Sequence, residues 1–210
     1  YLSLARELEK PVREAGQAIL DIYYQGPAVQ IKDDGSPVTE ADLASEGILL
    51  PAISVAAPSI QIVSEENATS HGLAVTDRFF LVDPLDGTKE FLKADNKGAF
   101  TVNIGLVEGG VPVMGIVHAP ALDRLFFGAR DSGAFEMFGN VCRKIEVRKP
   151  PAAGWTAVAS ASHRDKATND WLQAQGIGNT IAIGSSLKFC LIAAGEADAY
   201  PRYGPTMEWD

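Results

Sequence analysis

The sequence predicts an α+β protein built around a large antiparallel sheet, with a smaller α/β lobe towards its C-terminal end. Three patterns carry this. Apolar residues at helical spacing open the chain, strand signals dominate from 60 to 129, and short apolar runs alternate with helical stretches from 157 to 194.

In chain order, Val12, Ala15, Ile19, Ile22 and Tyr23 share one face of a first helix, in which Pro11 marks either the first turn or a kink. A loop rich in Lys, Asp and Gly follows. Thr39-Glu40-Ala41-Asp42 then signals the start of a second helix carrying Leu43, Ile48, Leu49 and Leu50. Strands are expected over 60–63, 78–82, 99–108, 111–118 and 124–129. Phe100, Val102, Ile104 and Leu106 alternate with Thr101, Asn103, Gly105 and Val107, and Gly109-Gly110 separates this run from the next, which reads as a hairpin. Further on, short buried strands are expected at 157–159 and 181–183, with helices at 165–175 and 185–194. The Pro-rich stretch 148–154 marks a boundary between an N-terminal lobe, 1–150, and a C-terminal lobe, 151–210.

A chain of 210 residues with 46% hydrophobic and 21% charged content can bury a sizeable core. No apolar run reaches the roughly 20 residues needed to span a bilayer, and no leader-like segment opens the chain, so a cytoplasmic location is expected. Cys142 and Cys190, far apart in sequence, read as reduced thiols. The net charge of -9 argues against a broad nucleic-acid footprint. It leaves anionic small molecules open as partners, because a bound metal and a few basic residues reverse the sign locally.

The chemistry concentrates between Leu81 and Phe91, where Asp83-Pro84-Leu85-Asp86-Gly87-Thr88 follows an apolar strand, and Glu65-Glu66 ends the strand before it. Two carboxylates about 4 Å apart repel by roughly 4 kcal/mol at an effective dielectric near 20. A cation removes that cost, and oxygen-only donors favour Mg²⁺ over Zn²⁺. Pro84 presets φ and Gly87 permits a positive φ, so a sharp bend can aim Asp83, Asp86 and the Leu85 carbonyl at one point. The backbone N–H groups from Gly87 onward then open a helix suited to phosphate. The plainer alternative is a solvated turn. Asp42, similarly, reads as a helix cap on sequence alone.

Taken together, Gly35-Ser36-Pro37-Val38-Thr39-Glu40-Ala41-Asp42, Ser64-Glu65-Glu66, the Asp83–Thr88 motif and the closing Glu208-Trp209-Asp210 resemble the inositol monophosphatase superfamily of Mg²⁺-dependent, lithium-sensitive phosphatases. Gly184-Ser185-Ser186-Leu187-Lys188-Phe189-Cys190, Ser160-Ala161-Ser162-His163-Arg164-Asp165 and the 200–206 segment are similar to its bacterial 3'(2'),5'-bisphosphate nucleotidases. The resemblance implies a layered α-β-α-β-α sandwich. It also implies two or three Mg²⁺ ions held by Glu65, Asp83, Asp86, Asp210 and the Leu85 carbonyl, with Glu66 close by through water. Thr88, oriented by Asp42, would position the attacking water, with Glu65 beside it at the reacting centre. Gly87, Thr88, Ser162, His163, Ser185, Lys188 and Arg202 would hold the substrate. The implied reaction removes the 3'-phosphate of adenosine 3',5'-bisphosphate, and of its sulfated relative, in sulfur assimilation.

Alternatives stay open. Lys188 could solvate one face of its helix, Arg202 could pair with a surface carboxylate, and His163 could be structural. An inositol or sugar monophosphatase, or a non-catalytic nucleotide or metal sensor, would use much the same residues. The oligomeric state, monomer or homodimer, is left undetermined. The family pattern runs on past Trp-Asp, so the sequence reads as part of a longer chain.

Overall fold

The computed structural model describes residues 1–26, 29–31, 37–72, 74, 76–93, 98–160 and 164–209. Two helices, α1 (Leu2–Glu7) and α2 (Glu9–Gln25), open the chain and are separated only at Leu8. Pro11 explains the break: it has no N–H for the Glu7 carbonyl four residues back, and its ring crowds that carbonyl. A short antiparallel pair, β1 (Val29–Ile31) and β2 (Pro37–Thr39), leads into α3 (Glu40–Ala56).

Seven strands then form one sheet in sequence order: β3 (Gln61–Ser64), β4 (Arg78–Asp86), β5 (Thr101–Glu108), β6 (Val111–Ala119), β7 (Arg124–Ala129), β8 (Gly133–Phe138) and β9 (Val141–Ile145). Every pair is antiparallel except β3 with β4, which is parallel. Short helices α4 (Ala68–His71) and α5 (Thr88–Leu92) follow β3 and β4. The C-terminal part contains β10 (Thr156–Ser160), α6 (Lys166–Ala174), β11 (Asn179–Ile183) and α7 (Leu187–Ala193), with β10 and β11 parallel. That is the α/β alternation expected from the sequence, except that β11, expected to be buried, is exposed up to Ala182 and only partly covered at Ile183.

Alternation along the strands builds two cores. Phe100, just before β5, and Val102, Ile104 and Leu106 of β5 pack with Val12, Ile19, Leu49 and Ile53 of α2 and α3. On the opposite face, Phe126 of β7 and Ile145 of β9 join Val158, Leu187, Cys190 and Leu191. Beyond β10, Ala157 packs with Leu172 of α6 and Ile177. The layers therefore run helices, large sheet, α7, small sheet, α6, which is the expected five-layer sandwich. Cys142 is exposed and Cys190 buried, both as free thiols, and burial pushes the Cys190 thiol up to about 12. Among the described residues no helix is long and apolar enough to cross a membrane.

Candidate active site

The acidic turn is built at a bulge. The β4–β5 register slips between Asp83 and Asp86, so Pro84 and Leu85 together oppose Val102. From α3, Ser45 Oγ donates to the Pro84 carbonyl at 2.8 Å, and the Leu85 N–H donates to Asp83 Oδ1 at 3.1 Å. Asp83 and Leu85 are both buried in this bulge. Gly87 follows at φ +91°, a conformation that favours glycine, and an added Cβ there would lie 3.1 Å from the Ala99 carbonyl. Helix α5 starts at the next residue, where Thr88 Oγ1 donates to the Leu85 carbonyl at 3.4 Å. The Glu65 N–H donates to the Val82 carbonyl at 3.0 Å, which sets the Glu65-Glu66 pair beside the end of β4.

Asp42 lies in the first turn of α3, almost wholly buried. Its Oδ2 accepts from the Thr39 N–H at 2.8 Å and from Thr39 Oγ1 at 2.7 Å, completing a capping box. Burial nevertheless holds the Asp42 carboxyl above the usual carboxylate range, and the negative charge of Glu66 adds to the rise.

A cleft of about 210 Å³ brings the acidic turn and the 184–188 segment together: its lining includes Glu65, Asp86, Gly87 and Thr88 together with Ser185, Lys188 and Arg202. Gly184 lets the second motif approach, since an added Cβ would stand 2.5 Å from Glu90 Cγ and 2.9 Å from the Ala99 carbonyl. Ser185 sits at φ +54° and accepts the Leu187 N–H on Oγ at 3.3 Å. The Ser186 N–H donates to Asp86 Oδ2. Lys188 corrects one alternative reading. It is only 4% exposed, its Nζ donates to the Ser185 carbonyl, and it lies 5.4 Å from the Tyr200 ring centroid. An ammonium is buried at a cost of several kcal/mol unless something compensates it, so this is not a solvated helix face. Arg202 is exposed and donates to the Pro205 carbonyl. Its charge also helps to hold Asp165 below the usual range, after hydrogen bonding by Thr168, so the surface-pair reading has support alongside the cleft position.

Asp210, Ser162 and His163 lie outside the described residues. Their neighbours bear on the cleft: Ser160 lines it, and Trp209 stacks on His71 with ring centroids 4.9 Å apart. His71 Nε2 in turn donates to the Ser64 carbonyl at 2.7 Å, next to Glu65. Among the described residues no three His, Cys, Asp or Glu side chains close on a single ion site. What they supply is oxygen: Glu65 and Asp86 in one cleft, and a buried Asp42 whose proton affinity a neighbouring carboxylate raises. That donor set fits a hard divalent cation.

The sequence reading gave no role to Ser45, Thr101, Asn103, Ser186 or Tyr200. For Thr101 and Asn103 a signal existed, since they are the polar positions of an otherwise apolar alternating strand.

A model of the inositol monophosphatase family matches residues 3–210. Among curated relatives, the 3'(2'),5'-bisphosphate nucleotidase CysQ of Salmonella typhimurium is 43% identical over 203 residues, covering 94% of this chain and 80% of that protein. The protein of the same name from Escherichia coli K12 is 40% identical over the same length and coverage. Among solved structures, CysQ from Bacteroides thetaiotaomicron, described as a bacterial member of the inositol monophosphatase family, superposes with a TM-score of 0.81 at 34% identity, covering 100% of this chain and 83% of that one. The chain belongs to the inositol monophosphatase family.

Proposed function

We propose that the protein is a Mg²⁺-dependent phosphatase that removes the 3'-phosphate of adenosine 3',5'-bisphosphate, giving AMP and inorganic phosphate. One observation carries this reading: a single cleft is lined by carboxylates, Glu65 and Asp86, and by cationic groups, Lys188 and Arg202. The first pair suits a metal-assisted reaction at one phosphate, and the second suits a substrate bearing another. The names of the nucleotidase relatives support the same substrate.

In this reading Glu65, Asp83, Asp86, Asp210 and the Leu85 carbonyl hold two or three ions, with Glu66 nearby. When bound, Mg²⁺ neutralises phosphate charge and acidifies a water. Thr88, oriented by Asp42, would position that water with its hydroxyl and help to remove its proton, passing it towards the Asp42 carboxylate. A carboxyl raised by burial is the better base near neutral pH. Gly87 and the N–H groups after it face the scissile phosphate. Ser162, His163, Ser185, Lys188 and Arg202 hold the rest of the nucleotide, and 3'-phosphoadenylyl sulfate would fit the same groups. The reaction would serve sulfur assimilation.

Phosphate release across a substrate panel, with and without Mg²⁺ and with added Li⁺, tests this. The nucleotide bisphosphate is expected to be turned over fastest, only with Mg²⁺, and less with Li⁺. Faster hydrolysis of inositol monophosphate would move the reading to an inositol or sugar monophosphatase. No turnover despite nucleotide binding would leave a sensor.

A further inference from the structure

We propose that Ser186 is a positioning residue that fixes the Asp86 carboxylate and so ties the metal-binding end of the cleft to the loop at its cationic end; this rests on the reading of Asp86 as a metal ligand. Ser186 holds Asp86 by its own N–H, which donates to Asp86 Oδ2. Its hydroxyl is buried and bracketed by β5, 2.8 Å from Thr101 Oγ1 and 2.7 Å from Asn103 Oδ1. Thr101 and Asn103 are the register partners of Asp86 and Asp83. The loop is thus pinned to the strand that faces both acidic residues.

The hydrogen-bond directions point to Asp86. With the Asn103 oxygen towards Ser186, the Asn103 Nδ2 is buried without a partner among the described residues. Turning the amide over takes no extra space and lets Nδ2 donate to Ser186 Oγ. Ser186 then donates to Thr101, and Thr101 donates to Asp86 Oδ2 at 3.5 Å. In that arrangement both hydroxyls and one Nδ2 hydrogen donate in sequence, and the chain ends on a carboxylate, which can only accept. Ser185, at φ +54°, needs such an anchor, because a residue with a Cβ does not hold that conformation without support. Without the Ser186 hydroxyl the loop relaxes, and the N–H moves off Asp86.

Titration of the purified chain with Mn²⁺, following the free-ion electron paramagnetic resonance signal without nucleotide, tests this. Ser186→Ala is expected to weaken Mn²⁺ binding about five- to tenfold, the loss of roughly one or two hydrogen bonds, and Ser186→Thr is expected to restore it. The kcat of Ser186→Ala should recover to within about twofold of wild type when Mg²⁺ is raised tenfold. Thr101→Val, which keeps the shape of the strand, should weaken Mn²⁺ in the same direction and carries the test if circular dichroism shows Ser186→Ala misfolded. Unchanged Mn²⁺ affinity in a folded Ser186→Ala or Thr101→Val overturns the positioning role. Failure of the wild-type chain to bind Mn²⁺ at all overturns the metal-site reading, and this inference with it.

Discussion

The Asp42 carboxylate accepts two hydrogen bonds from Thr39, so the capping box that starts α3 needs an acceptor at this position and does not need a charge. Asn supplies that acceptor and removes the negative charge beside Glu66. Asp42→Asn should therefore melt within a few degrees of wild type and bind Mn²⁺ within about twofold. Turnover should nonetheless fall about a hundredfold or more, the range for loss of a general base. Unchanged turnover would reduce Asp42 to its cap. Lys188 calls for a substitution that keeps its packing, because the side chain is buried with its ammonium over the Tyr200 ring. Lys188→Met preserves the stem and removes only the ammonium. A charge-assisted hydrogen bond contributes roughly 1.5–3 kcal/mol, so KM for the bisphosphate should rise about ten- to a hundredfold with kcat little changed. A pure kcat loss would place Lys188 at the reacting phosphate instead.

At the scale of elements, the cleft exists because the turn after β4 and the turn before α7 approach without side chains between them. Gly184 is the tightest point, and a methyl there meets the Ala99 carbonyl, which cannot swing aside as the Glu90 side chain can. Gly184→Ala should push the loop off β5, lower stability by about 1–3 kcal/mol as overpacking does, and raise KM more than it lowers kcat; a variant indistinguishable from wild type in both would show the approach is not needed. The strands of this scaffold were legible wherever alternation met a turn signal, as at Gly109-Gly110 between β5 and β6. β8 and β9 are not legible in the sequence although Gly139-Asn140 is a two-residue hairpin turn, because β9 is an edge strand whose Val-Cys-Arg-Lys run is exposed and shows no buried alternation. The acidic turn was legible because Asp83 to Thr88 is contiguous. The Ser186–Asp86 bond was not, since it joins residues 100 apart through loop geometry that no local pattern encodes.

At the scale of the whole molecule, the large sheet is gripped on both faces, and on the α2 face the grip closes over a titratable group. His118 of β6 is buried against α2, its Nδ1 donates to the Val12 carbonyl at 3.3 Å, and an added Cβ at Gly16 would stand 2.5 Å from its ring. Burial, with the nearby charge of Arg13, lowers the pKa from 6.5 to about 4 despite the bond to Val12. The unfolded chain therefore binds a proton that the folded chain refuses between those values. Stability from this residue is fully present above about pH 6.5 and is lost as pH falls through about 4, to a total of roughly 3 kcal/mol at 1.36 kcal/mol per pKa unit. Asp42 acts in the opposite sense. Its raised folded pKa makes the folded chain bind the proton more tightly, so from its ordinary value of 3.8 upward it costs stability as pH rises. Urea unfolding of wild type and His118→Gln across pH 4 to 7 separates the two, because only the histidine differs. The wild-type curve should rise with pH more steeply than the variant's by that amount. Parallel curves would mean that His118 takes its proton in the folded state and that α2 opens to admit it.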